Sequence, residues 1–270
     1  MKRRFLLVSV ITVVLCACDS NEPTIDSNGA LKGKFSISAT AKVHFSRGNL
    51  QYVGTWQFAE NQWEFFGVSQ SDDHRDLFSW GTGDAPNKVG KDYNDYSTFT
   101  DWGANVISNG GNKANLWRTL TKDEWGYLFC GRKNASTLFG LGNVNGINGT
   151  ILLPDNWTLP SGSSFTACTT HGMVRIDDYY YYEDDESKHF ADNTYTAEQW
   201  KTMENNGAVF LPATGSVLGT DVLSAGWRGG YWSVTPYDED LAYGFFFHSS
   251  VLGPQGSSYR SRGFSVRLVK

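Results

Sequence analysis

The stretch Leu116-Trp117-Arg118-Thr119-Leu120-Thr121-Lys122-Asp123-Glu124-Trp125-Gly126-Tyr127 carries the clearest local signal in the chain. Thr121 and Glu124 stand three apart, the spacing of a capping box. The Thr hydroxyl and the Glu carboxylate each satisfy a backbone N–H that a helix start otherwise leaves unpaired. Trp125, Leu128 and Phe129 then share one stripe and Gly131 lies at the expected stop, so a helix with one packed face is predicted from Thr121. A weaker copy of the pattern begins at Thr196, with Gln199 at the box position, Trp200 and Met203 on one face, and Asn206-Gly207 at the end.

Outside these two helices the periodicity drops to two. Lys34 to Leu50 alternates at Phe35/Ile37/Ala39 and Val43/Phe45 and ends at Gly48-Asn49, which reads as two short strands. Trp56-Gln57-Phe58 and Trp63-Glu64-Phe65-Phe66 continue the β-type aromatic pattern. Thr150–Pro154, Ala208–Leu211, Gly230–Val234, Ala242–His248 and Phe264–Val269 read as further strands. In the last, Phe264, Val266 and Leu268 alternate with Ser265 and Arg267, the pattern of one buried face. Gln70 to Gly111 is rich in Gly, Asp, Asn and Ser yet holds Trp80 and Trp102, so long ordered loops pinned by buried rings are expected. The class is α+β: short twisted antiparallel sheets, two helices and long ordered loops. No fixed period recurs, which sets solenoids and propellers aside.

The N-terminus reads as an export signal. Met1-Lys2-Arg3-Arg4 precedes an apolar run from Phe5 to Leu15, and Leu15-Cys16-Ala17-Cys18 closes the segment. The run is too short to span a bilayer as a permanent helix. Residues 1–17 are therefore expected to be removed, residues 18–33 to form a flexible polar tether, and residues 34–270 to form a single domain. Removal takes Lys2, Arg3 and Arg4 from the 23 basic residues and none of the 28 acidic ones, leaving a net charge of about −8. Such a surface repels nucleic acid and anionic headgroups. With Cys16 lost and Cys18 at the new terminus, Cys130 and Cys168 remain, either paired in an oxidising compartment or as two free thiols.

Several of these segments resemble known families. Leu15-Cys16-Ala17-Cys18 resembles the lipobox of bacterial lipoproteins, which implies diacylation of Cys18 and attachment to a membrane through lipid alone. Asp19 and Glu22 resemble the acidic signal with which Bacteroidetes send lipoproteins to the cell surface; a chance acidic pair is the rival reading. Leu116–Tyr127 resembles the RLPTEAEWEYA segment of the formylglycine-generating (sulfatase-modifying factor) family. Tyr231-Trp232-Ser233-Val234-Thr235-Pro236 through Gly263–Val269 resembles its C-terminal part. Both also resemble the Fibrobacter succinogenes major paralogous domain and related lectin-like domains of Bacteroidetes surface lipoproteins, whose openings are similar to Lys42–Tyr52. The resemblance implies a C-type-lectin-like fold over most of residues 34–270, in a lipoprotein of the outer membrane, exposed at the cell surface or facing the periplasm.

Departures from these families bear on chemistry. The oxidase members use two nearby cysteines in their C-terminal third, soft ligands suited to Cu(I). This chain has no cysteine after Cys168, so no catalytic residue and no enzyme activity are expected. The Glu-Pro-Asn, Gln-Pro-Asp and Trp-Asn-Asp signatures of calcium-dependent sugar binding are missing, and Asp155-Asn156-Trp157 has the composition in another order. His44, His74, His171, His189 and His248 are scattered without metal spacing, and no Gly-x-Ser-x-Gly elbow occurs. No metal or cofactor is expected, a calcium ion having no motif to hold it.

Two segments are candidates for contact. Trp227-Arg228-Gly229-Gly230-Tyr231-Trp232 and Gly256–Arg262 flank the final strands, and the resemblance implies that such loops share one face. Tyr, Trp and Arg dominate binding hot spots, which nominates Trp227, Arg228, Tyr231, Tyr237, Tyr259 and Arg260 as ligand contacts, with Trp232 read as core. The acidic, tyrosine-rich run Asp177–Glu186 offers a secondary loop through Asp178, Tyr180 and Tyr182, or else an acidic solvated loop around one strand. The expected function is a monomeric, lipid-anchored, non-enzymatic binding module for a glycan or protein. A structural subunit of a surface complex comes second and a degenerate oxidase relative third.

Overall fold

In the computed structural model, residues 24–89, 96–168 and 189–270 are described. The signal segment, Cys18, Asp19, Glu22, His171 and the loop residues Asp178, Tyr180 and Tyr182 lie outside them. Both capping boxes form. Thr121 accepts from the Glu124 N–H and heads α1 (Lys122–Gly126), which runs into a wider π-type turn at Tyr127–Gly131. Thr196 does the same for α2 (Ala197–Asn205).

The remaining elements are strands: β1 (Phe35–Ser36), β2 (Lys42–Val43), β3 (Leu50–Tyr52), β4 (Trp56–Phe58), β5 (Phe139–Val144), β6 (Ile147–Leu152), β7 (Thr194–Tyr195), β8 (Val209–Pro212), β9 (Ser216–Leu218), β10 (Asp221–Leu223), β11 (Arg228–Pro236), β12 (Leu241–His248) and β13 (Val251–Tyr259). A four-stranded sheet runs β7-β5-β6-β8, antiparallel except for the β5–β7 pair, and a three-stranded antiparallel sheet runs β11-β12-β13. The pairs β1–β2, β3–β4 and β9–β10 are short hairpin pieces. The architecture is thus mixed α+β, mostly small sheets.

The core lies between the sheets and α1. Trp125 stacks on Phe245 at 5.3 Å, and Phe129 meets Phe139 and Phe245 at 5.1 and 4.6 Å. The loops before α1 are ordered around buried rings, because Trp80 and Trp102 both reach Phe99, at 4.9 and 5.7 Å.

Three expectations fail in instructive ways. The domain starts earlier than residue 34: Ile25 bridges to Leu31, Ala30 and Leu31 are buried, and the Leu31 carbonyl is 2.8 Å from His44 Nδ1. Residues 24–33 belong to the fold, not to a tether. Trp63–Phe66 forms no strand; Trp63 lies in a turn that Glu64 closes back on Asn61.

Phe264–Val269 is not a strand with one buried face. It is an extended tail threaded through the middle, bridging Phe78, Tyr231, Phe45 and Arg118, and every residue of it is buried. The polar alternates find partners inside, all but the buried Nε of Arg267. Arg267 donates to Gln62 Oε1 at 2.8 Å and to Asn49 Oδ1 at 3.3 Å, and Ser265 lies 2.9 Å from the Thr214 hydroxyl.

One buried carboxylate gives the stability of this fold an unusual pH dependence. Asp76 accepts from the Phe66 N–H at 2.7 Å and from Gln70 Nε2 at 2.6 Å, yet burial pushes its carboxyl up to about 6. The folded state therefore holds the proton more tightly than the unfolded chain, whose value is 3.8. Stability contributed by Asp76 is full below about pH 4 and is lost as pH rises through about 6. The stability of wild type relative to Asp76→Asn should fall by about 3 kcal/mol across that window, read by urea unfolding at each pH. A flat difference would mean that Asp76 ionises normally.

Candidate functional site

The three-stranded sheet carries an exposed aromatic face at one end. In the antiparallel register Leu241 pairs with Tyr259 and Tyr243 with Ser257. Directly paired residues point to the same side. Leu241, Tyr243, Ser257 and Tyr259 accordingly share the outer face, while Ala242 and Ser258 between them are buried. The β11–β12 turn folds Tyr237 over this face, its ring 5.0 Å from that of Tyr243. Lys122 Nζ sits over the Tyr243 ring at 4.5 Å.

The turn itself is stiff. Asp238 Oδ1 accepts from the N–H groups of Asp240 and Leu241 at 2.9 and 2.7 Å, an Asx turn. The Tyr237 N–H returns to the Leu241 carbonyl at 3.0 Å. Arg260 clamps it from beneath. Its Nε donates to the Leu241 carbonyl at 3.2 Å, Nη2 donates to the Asp238 carbonyl, and Nη1 donates to the Tyr96 carbonyl at 3.0 Å. The guanidinium also lies 4.4 Å from the centroid of Trp80. Held this way, the exposed carboxylates of Asp238, Glu239 and Asp240 stand beside the tyrosines.

The six nominated contact residues do not share one place. Tyr237 and Tyr259 are 53% and 43% exposed on the face just described. Trp227, 72% exposed, and half-buried Arg228 lie at the other end of β11, where Arg228 pairs with His248. Nine residues of strand separate the two ends by roughly 25 Å. Two nominations are wrong as contacts. Tyr231 is wholly buried, its hydroxyl donating to the Pro212 carbonyl at 2.9 Å and accepting from Asn49 Nδ2 at 3.1 Å. Arg260 is only 6% exposed because its donors are used on backbone carbonyls; it shapes the site from behind. Trp232 is core, its indole N–H reaching the Phe78 carbonyl at 2.7 Å. Tyr243 and Lys122 were missed. The alternation of Leu241 and Tyr243 with Ala242 and Gly244 could have found the tyrosine.

Cys130 and Cys168 are free thiols. Burial pushes Cys168 up to about 12 and raises Cys130 as well, so neither presents a thiolate at neutral pH. Among the described residues, no three His, Cys, Asp or Glu side chains gather as a metal site, and no helix is long and apolar enough to cross a membrane.

A family model described as a domain of unknown function (DUF8237) matches residues 164–269, which takes in α2 and the whole three-stranded sheet with its tyrosine face. No curated protein and no solved structure matches the chain.

Proposed function

We propose that this chain is a non-enzymatic binding module on a C-type-lectin-like scaffold, anchored by lipid on Cys18 at the outer membrane, that takes a glycan on the face of Tyr237, Tyr243 and Tyr259. The observation that carries the reading is the tyrosine cluster around a rigid acidic turn. Tyrosine rings present an apolar surface to the C–H faces of a sugar and a hydroxyl to its edge, at low entropic cost. The carboxylates of Asp238, Glu239 and Asp240 accept from sugar hydroxyls. A turn already fixed by Asp238 and Arg260 loses little further freedom on binding.

The anchor would hold the domain close to the membrane. Thr24 already hydrogen-bonds Asn205 and Ile25 bridges to Leu31, so about six residues separate Cys18 from the folded domain. Fully extended, they reach roughly 20 Å.

The full chain, kept in a sugar-free detergent and applied to a glycan array, should retain a defined set of oligosaccharides. Tyr237→Ala and Tyr259→Ala should each weaken the best of them about tenfold. An array on which wild type stays silent, or on which both variants bind as wild type does, would sink the proposal.

A further inference from the structure

Arg260 joins the tyrosine face to a second feature. The two groups on its far side, Trp80 and Tyr96, belong to a cleft of about 190 Å³ between Gly81–Lys88 and Tyr96–Thr100. Its floor is buried Trp80, Thr82 and Tyr96, and its rim is exposed Asp84, Lys88, Ser97 and Thr98.

The walls are zipped together at the base. Thr82 bridges to Thr100 in parallel, the Thr100 N–H reaches the Gly81 carbonyl at 3.0 Å, and the Gly83 N–H reaches the Thr100 carbonyl at 3.1 Å. Gly81 permits this approach. It sits at φ +72°, and a Cβ there would come within 2.9 Å of the Phe99 backbone. Trp80 is equally fixed, its indole N–H donating to the Ser233 carbonyl at 2.9 Å while Phe99 packs on it at 4.9 Å. The base of the cleft is therefore preformed, which limits the ordering that ligand binding requires there.

Its chemistry selects among ligands. The lining hydroxyls of Ser97, Thr98 and Thr100 both donate and accept, while the Thr82 hydroxyl, donating to the Ser79 carbonyl at 2.8 Å, can only accept from a ligand. Among the described lining residues the charged groups are Asp84 and Lys88, of opposite sign, with the Lys88 ammonium 4.7 Å from the Tyr96 ring centroid. The volume is below the roughly 300–1,000 Å³ of sites for drug-sized molecules, room for one ring.

We infer that this cleft takes a single neutral sugar ring, the terminal unit of a glycan whose next units lie on the tyrosine face that Arg260 supports from beneath. The inference rests on the glycan reading above, but its residues lie outside that face and outside the segment matched by the family model.

The probes are methyl glycosides of the common neutral hexoses, with free amino acids as the competing class, each titrated into the full chain in a sugar-free detergent and read by saturation-transfer NMR. One glycoside should bind at low-millimolar Kd, as expected for a ligand of its size. Ala85→Trp, which fills the cleft from its rim, should abolish that binding, and Thr98→Val, which removes one exposed hydroxyl without changing size, should weaken it several-fold. Circular dichroism checks that both variants are folded. Tyr237→Ala should leave the glycoside Kd unchanged while weakening array oligosaccharides. The cleft inference falls alone if oligosaccharides bind through Tyr237 but no glycoside does, if binding survives both Ala85→Trp and Thr98→Val, or if an amino acid binds instead. It falls with the glycan reading if neither glycoside nor oligosaccharide binds.

Discussion

Replacing Arg132 by alanine is expected to cost about 3–5 kcal/mol of stability, a large share of the roughly 5–15 kcal/mol available to a domain. Arg132 follows the π-type turn and turns its side chain inward, where it is buried. Nε donates to the Leu128 carbonyl at 2.6 Å, Nη1 to Leu153 at 2.7 Å and Nη2 to Leu138 at 3.1 Å. Its guanidinium lies 5.6 Å from the Phe35 ring centroid and 3.6 Å from Asp155 Oδ1. Asp155 in turn holds the Ser36 hydroxyl at 2.6 Å and Lys42 at 2.8 Å. One side chain thus ties the end of the α1 segment, the start of β5, the end of β6 and the β1–β2 hairpin.

Burial lowers the Arg132 guanidinium to about 10, which still leaves it charged at neutral pH. Alanine strands three carbonyls and leaves Asp155 with Lys42 as its remaining basic partner. Unsatisfied buried groups of this kind cost about 1–3 kcal/mol each before relaxation. Lysine should recover only part of the loss, because its ammonium cannot reproduce a fork of donors aimed at separate carbonyls. Urea unfolding of the two variants against wild type measures both effects. A loss below about 1 kcal/mol for alanine would show that the carbonyls find water instead.

The parts of the fold that were legible in the sequence are those whose causes are local. Both capping boxes involve residues three apart, so Thr121 with Glu124 and Thr196 with Gln199 could be read directly. The loops pinned by Trp80 and Trp102 could be read because large apolar rings must be buried somewhere. Burial of Tyr231 and Arg260 could not. Tyr231 is satisfied by Asn49, 182 residues away, and Arg260 by Tyr96, 164 residues away. A tyrosine or arginine that will meet such partners looks, in isolation, like one bound for the surface.

Register explains the other miss. Trp227 precedes β11 and Tyr259 ends β13, and the antiparallel pairing through β12 aligns Arg228 with Val251 and Tyr259 with Leu241, at opposite ends of one sheet. Alternation reports which face a residue occupies, not which end of the sheet it reaches. The segment Phe264–Val269 shows the limit of alternation itself. Period two distinguishes two faces, but when both are covered the polar positions report a buried network and not solvent.

That network leads to the second large effect. Arg267→Ala is expected to destabilise the fold by about 3–5 kcal/mol, and Arg267→Met, which refills most of the volume, by less. Gln62 stands at the centre: its Oε1 accepts from Arg267 Nη2 at 2.8 Å and the Phe210 N–H at 2.7 Å, and its Nε2 donates to Glu204 Oε1 at 2.6 Å. Burial pushes the Glu204 carboxyl up, and the Gln62 hydrogen bond and then the Arg267 charge pull it part of the way back. Without Arg267 the Glu204 value rises further, so the folded protein favours protonated Glu204 over a wider range. A carboxyl raised above its unfolded value adds stability at low pH that is lost as pH rises. The deficit of Arg267→Met relative to wild type should therefore be smaller at about pH 5 than at about pH 8, with the Asp76 contribution common to both proteins. Denaturant unfolding at the two pH values decides it. An equal deficit at both would mean that the Arg267 charge does not reach Glu204 through Gln62, and that its role in the tail is confined to hydrogen bonding and packing.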